Sequence, residues 1–325
     1  MKKIIFVLLT FLTALFASEN AQENILNKVL ILNTQKAIQS SVELEEALEK
    51  KPYSKEEIQK EFTQLLFDWK KVEALYIAGE LDNDYLDTPR YIDVFHNLKE
   101  NLHEQMQRVR QSNDEVSVAL FKHSFKTINA LEYMLYSSDT LIARDIEISK
   151  AIVQNIQKQL KEILEVYQTK GNDFIRNEVF ANGLIMNTLV QSIYKLKEWR
   201  VADVAGLSLK YKNNPNANRA EYFLSQNSTQ AIEAILLAHQ EVLDSKTFFD
   251  FGDKYERDLK NNDIKKTREL LKEALSKLEK IPQDDLSSKE ARNFYEAVNE
   301  IYNHYFFTLI QDLKITAKIL DADGD

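Results

Sequence analysis

The stretch FTQLLFDWKKVEALY (residues 62–76) sets Phe62, Leu65, Leu66, Trp69, Val72 and Leu75 three and four positions apart. That is the period of one apolar helix face, not of a strand. Ahead of it, Ser54-x-x-Glu57 reads as a capping-box start, with Pro52 just before. The same spacing returns in Ile152, Ile156, Leu160, Ile163, Leu164 and Tyr167, which we expect to end near Gly171. It returns again in Leu270, Leu271, Ala274, Leu275 and Leu278, stopped before Pro282, and in Phe294, Val298, Ile301, Tyr305, Leu309 and Leu313. Several of these runs are long, and long amphipathic helices joined by short polar breaks make bundles. The expectation is an all-α chain of about eight to ten helices. Irregular segments are expected near 79–92, 201–227 and 281–287, and the 201–227 stretch is the candidate crossing between two bundles.

Composition points the same way. The 325 residues include 6 Gly, 4 Pro and no Cys. Average usage is about 7% Gly and 5% Pro, so turn-forming residues are scarce here. Sandwiches, barrels and Gly-rich phosphate loops are poorly supplied by such a chain. Without Cys there is no disulfide, thiolate metal site or cysteine nucleophile. A net charge of −9 disfavours nucleic acid as a partner.

The first residues read as an address. Met1-Lys2-Lys3 precedes the apolar run Ile4 to Ala17, and Ala17-Ser18 leads into polar chain. At about 1.5 Å per residue such a run is short of a bilayer core of roughly 30 Å. The pattern is that of a secretory signal peptide over residues 1–17. The mature chain is expected to be exported to the periplasm or cell envelope, with no transmembrane span after cleavage.

Candidate chemistry comes from polar residues set among apolar ones. Asn129-x-x-Glu132 lies inside the run from Ile128 to Tyr136, and i, i+3 spacing puts amide and carboxylate on one helix face. A carboxylate so placed is expected to be partly buried and to need a cation or hydrogen-bond donors. Trp69-x-x-x-Glu73 and Pro89-Arg90-x-x-Asp93 are supporting candidates, with Arg90 the expected partner of Glu132 or Asp93. His96, Glu100 and His103 at i, i+4 and i+7 would share a face if helical; a solvated face is the plainer reading. The competing reading of Asn129 and Glu132 is a structural polar pair that fixes helix register.

Taken in order, these landmarks resemble the imelysin family, named for an insulin-cleaving metallopeptidase and including periplasmic iron-uptake proteins. The residues that carry the resemblance begin with Trp69 to Tyr76 followed by Gly79, and Pro89 to Phe95, similar to the family's Arg-Ile-Asp-Phe-Trp-Pro loop. They continue with Asn129 to Tyr136, at the place of the family's G-x-H-x-x-E helix. The terminal Asp321-Ala322-Asp323-Gly324-Asp325 is like the D-G-D ending of many members. Glu221, Ser225 and Ser228 match the family's E-x-x-R-S-x-x-S more loosely, with Leu224 where Arg is expected.

The resemblance implies two four-helix-type bundles, here residues 18–200 carrying the signature helix and 201–325, with some helices shared. It also implies an envelope location and a link to metal: a divalent or ferric ion, iron or zinc, at Glu132 and Asn129, supported by Arg90, Asp93, Trp69 and Glu73. This chain departs from the signature where it matters for chemistry. Thr127 stands for the Gly and Asn129 for the His. A carboxamide oxygen is a poor ligand for first-row transition metals and no general base. The expectation is a non-enzymatic binding or accessory protein of metal acquisition, taking a metal ion, a metal chelate or an envelope protein as partner. An imelysin-type metallopeptidase and an envelope interaction scaffold are the alternatives.

Overall fold

The computed structural model describes residues 20–96, 100–260 and 262–317. The expected signal peptide, residues 1–17, and the terminal Asp-Gly-Asp lie outside them. Among the described residues all regular secondary structure is helical, with no strand.

Helix α1 (residues 21–49) starts on Asn20, whose side chain accepts from the Glu23 N–H, and contains one π-helical stretch, Leu26–Ile31. Helix α2 (Lys55–Ala74) starts as the capping pattern predicts: the Ser54 side chain accepts from the Glu57 N–H. The segment 79–92 is not wholly irregular, since short helices form at Ala78–Leu81 and Thr88–Ile92, the latter with Pro89 in its first turn. Next come α3 (Leu102–Gln111), α4 (Ile128–Tyr136) and α5 (Ala143–Arg176). Then follow α6 (residues 178–205), α7 (Ser228–Leu243), α8 (Phe251–Leu259), α9 (Asp263–Leu278) and α10 (residues 289–312).

Two sequence expectations need correction. Helix α5 runs straight through Gly171. There the missing side chain makes room for Leu26: a Cβ on Gly171 would lie 2.5 Å from Leu26 Cδ2. The glycine marks a close helix approach, not a stop. Likewise α6 does not break at 201 but continues to Ala205, where Gly206 turns left-handed at φ 69°. The Leu207 N–H then reaches back to the Ala202 carbonyl at 2.8 Å, closing the helix end.

Helix α2 is the central element. One side packs on α1, which in turn lies on α5, and the other side packs on α7. Helix α4 lies on α5, while α7, α9, α10 and the C-terminal half of α6 pack together. Phe62, Leu65, Leu66 and Trp69 of the deciding stretch are fully buried, and one continuous apolar core joins residues from both ends of the chain. The 200/201 boundary falls within α6. Polar residues on the buried faces of α2 and α6 therefore meet inside the molecule.

Candidate functional site

At that meeting point sits an ion network built from distant segments. Lys70 of α2 is fully buried, and its ammonium contacts three carboxylates: Glu73 at 2.7 Å, Asp93 at 2.7 Å and Glu221 at 2.5 Å. Arg200 of α6 closes the other side, with Nε 2.7 Å from Glu221 and Nη2 3.0 Å from Glu73. Asp93 Oδ2 also accepts from Trp69 Nε1 at 3.2 Å and from the Tyr222 hydroxyl at 2.8 Å, while its Oδ1 accepts from the Phe95 N–H.

Electrostatics follow from this crowding. Burial opposes charge on Lys70, but Asp93, Glu221 and Glu73 outweigh it and hold the ammonium firmly protonated. Burial would raise Asp93, yet Lys70 and the hydrogen bonds it receives push it well below the usual carboxylate range. Glu73 is lowered too, since Lys70 and Arg200 overcome its desolvation, whereas burial lifts Glu221 despite the same two cations.

The signature remnant forms a second, separate polar contact. Glu132, at 2% exposure, accepts from both the backbone N–H (2.9 Å) and the hydroxyl (2.7 Å) of Ser225. Burial pushes its carboxyl up to about 7, the Ser225 donors pulling the other way. Asn129 Oδ1 accepts from the Val94 N–H at 2.8 Å. The two signature side chains thus pin two loops to helix α4. His103 is half-buried nearby, its ring 5.4 Å from those of Tyr133 and Phe223.

The sequence candidates divide accordingly. Trp69, Glu73, Asp93 and Glu221 come together around Lys70. Glu132 joins Ser225, and Asn129 joins the loop after Asp93. Ser228 sits at the start of α7, where its N–H donates to Asp284 at 2.9 Å, and the Asp284 charge adds to what raises Glu132. Arg90 is a correction: it neutralises neither Glu132 nor Asp93. On the single turn Thr88–Ile92 it points outward, 66% exposed, and pairs with Asp87 at 3.2 Å. The His96, Glu100, His103 face does not form either, because His96 lies in a turn at φ 63° and α3 begins only at Leu102.

Lys70 and Arg200 are the residues that the sequence reading missed. Their signal was present. Lys70 follows Leu66 by four, and Arg200 continues Leu189, Ile193 and Leu196. A cation on an apolar stripe asks for buried carboxylates.

Whether these groups suit a metal is a question of free lone pairs. Oxygens of Glu73, Asp93 and Glu221 lie within 4.8 Å of one another, close enough for one ion. Those oxygens are already engaged by an ammonium and a guanidinium, and an entering cation would meet both positive charges. At the signature the donor set is one carboxylate tied to Ser225 and one amide oxygen tied to Val94. Neither group fits a resident metal as it stands.

The family model described as Imelysin (Peptidase_M75) matches residues 32–304. An imelysin-like protein of Psychrobacter arcticum 273-4 superposes with a TM-score of 0.77 at 17% identity, covering 93% of this chain and 96% of that one. A candidate iron-regulated protein A precursor of Parabacteroides distasonis ATCC 8503 gives 0.72 at 12% identity, covering 92% and 95%. No curated protein matches the chain. Among the described residues no helix is long and apolar enough to cross a membrane.

Proposed function

Because this chain belongs to the imelysin family, we propose that it is an exported, non-enzymatic member serving metal acquisition, with iron as the metal, as a binding or accessory protein. The observation that carries the non-enzymatic part is the use made of the signature. Asn129 Oδ1 accepts from the Val94 N–H, and Glu132 Oε1 accepts from both the N–H and the hydroxyl of Ser225. A metallopeptidase needs two or three strong ligands, an open position and a base near its water. Here the imidazole is an amide, and the carboxylate is a hydrogen-bonded tie. Export is supported by the Met1 to Ser18 pattern. Iron is supported by the family's link to metal and by the iron-regulated description of the similar Parabacteroides protein.

The donor chemistry favours iron handled as a chelate or through an envelope partner over a bare ion held at Glu132. The experiment is growth of a deletion strain under chelator-imposed iron limitation. We expect slower growth, restored equally by wild type and by Glu132→Gln. Unimpaired growth, or restoration by wild type alone together with chelator-sensitive cleavage of an unfolded protein, would overturn the reading.

A further inference from the structure

We infer that the ammonium of Lys70 takes the place of a metal ion among Glu73, Asp93 and Glu221, so that this cluster accepts a divalent cation only when the ammonium is removed. The inference rests on geometry and does not depend on the role in iron acquisition.

An ammonium has three N–H donors. Here one nitrogen reaches three separate carboxylates at 2.5 to 2.7 Å. The donor inventory and the acceptor set match, which is the arrangement of a central ion in a cage. Zinc–carboxylate distances are about 2.0–2.2 Å, so an ion at the same point would draw each oxygen inward by roughly half an ångström. Charge points the same way. Among the groups in direct contact, three carboxylates face Lys70 and Arg200, leaving one negative charge over, with Lys195 further off acting on Glu73. A divalent ion in place of the ammonium, with Arg200 kept, would balance the three. Lys70 cannot simply swing aside, because its side chain is fully buried and its ammonium lies 5.2 Å from the centre of the Tyr222 ring. Any ion entering the native cluster must therefore coexist with that charge, and at such spacing the repulsion is severe.

The test is a zinc titration of the purified protein and of Lys70→Met, followed by calorimetry and by thermal unfolding. We expect wild type to show no zinc binding that Asp93→Asn removes, and no zinc-dependent rise in Tm. Lys70→Met should bind one equivalent and gain Tm with zinc, and both effects should vanish in Lys70→Met/Asp93→Asn. Zinc bound by wild type and lost in Asp93→Asn would overturn the inference, as would a folded Lys70→Met that binds none. Should Lys70→Met fail to fold alone, refolding with zinc decides: recovery of the native helical signal supports the inference, and no recovery refutes it.

Discussion

Glu132 and Ser225, 93 residues apart in sequence, are joined by two hydrogen bonds, both donated by the serine to one carboxylate oxygen. The contact fixes the turn before α7 onto helix α4. It also gives a buried carboxylate donors without giving it a countercharge, and its proton affinity follows from that.

Stability should carry the Glu132 signature in its pH dependence. The folded carboxyl titrates at about 7 against an ordinary 4.5. Between those values the native state holds the proton and the unfolded chain does not, so this group's contribution to stability falls as pH rises through the window. Thermal unfolding from pH 4.5 to 8 should show a shallower decline in Glu132→Gln than in wild type. Ser225→Ala removes a donor to the ionised form and should extend the decline to higher pH.

His239 works in the opposite direction. Full burial holds its imidazole neutral, down to about 3 from 6.5, with Nε2 3.0 Å from the Ser192 hydroxyl. Below pH 6.5 the unfolded chain takes the proton first, so stability is lost on acidification through that window. His239→Gln keeps a polar partner for Ser192 and cannot be protonated. Its unfolding midpoint should depend less on pH between about 6.5 and 4.

Arg200 should be among the costliest side chains to remove. Truncation to Ala leaves Glu221 and Glu73 with Lys70 alone, and breaking a buried pair costs about 3–5 kcal/mol. Urea unfolding should register that loss for Arg200→Ala. Arg200→Lys keeps the charge but not the fork that reaches both carboxylates, and should fall between Ala and wild type.

Gly206 ends the helix that carries Arg200. An L residue there adopts a left-handed conformation at a cost of roughly 1–2 kcal/mol, and a Cβ would lie 2.7 Å from the Pro215 backbone nitrogen. Gly206→Ala should lower stability by more than the conformational cost alone, measured by denaturant midpoint. Gly183, whose Cβ would meet nothing within 4 Å, is the control: Gly183→Ala should be neutral or mildly stabilising.

The helical fold was legible because burial of α2, α5, α9 and α10 follows apolar spacing, which is a local property. The cap at Ser54 is local too; the Thr127 cap of α4 went unread. The misread Gly171 and the misplaced break at 201 show the limit. Gly171 looks like a helix stop only because Leu26, far away in sequence, is invisible to a local reading. Gly206 is the real stop, five residues beyond the expected break. For the site, Glu132 stood out as a carboxylate that an apolar setting must satisfy, Trp69, Glu73 and Asp93 as its supporting candidates, and Glu221 only through the family resemblance. What satisfies them could not be read locally: Lys70 and Arg200 come from helices far apart in sequence, and Ser225 from a loop. Arg90 was chosen for its nearness in sequence to Asp93, yet a one-turn helix points it to solvent.

The most direct test of the account is a calorimetric titration of the purified protein with ferrous iron, ferric iron and zinc, with Glu132→Gln alongside. If Glu132 is a structural tie, wild type and variant give the same heats, with no saturable binding that the substitution removes. One equivalent bound by wild type and lost in Glu132→Gln would contradict it and make the signature glutamate a metal ligand.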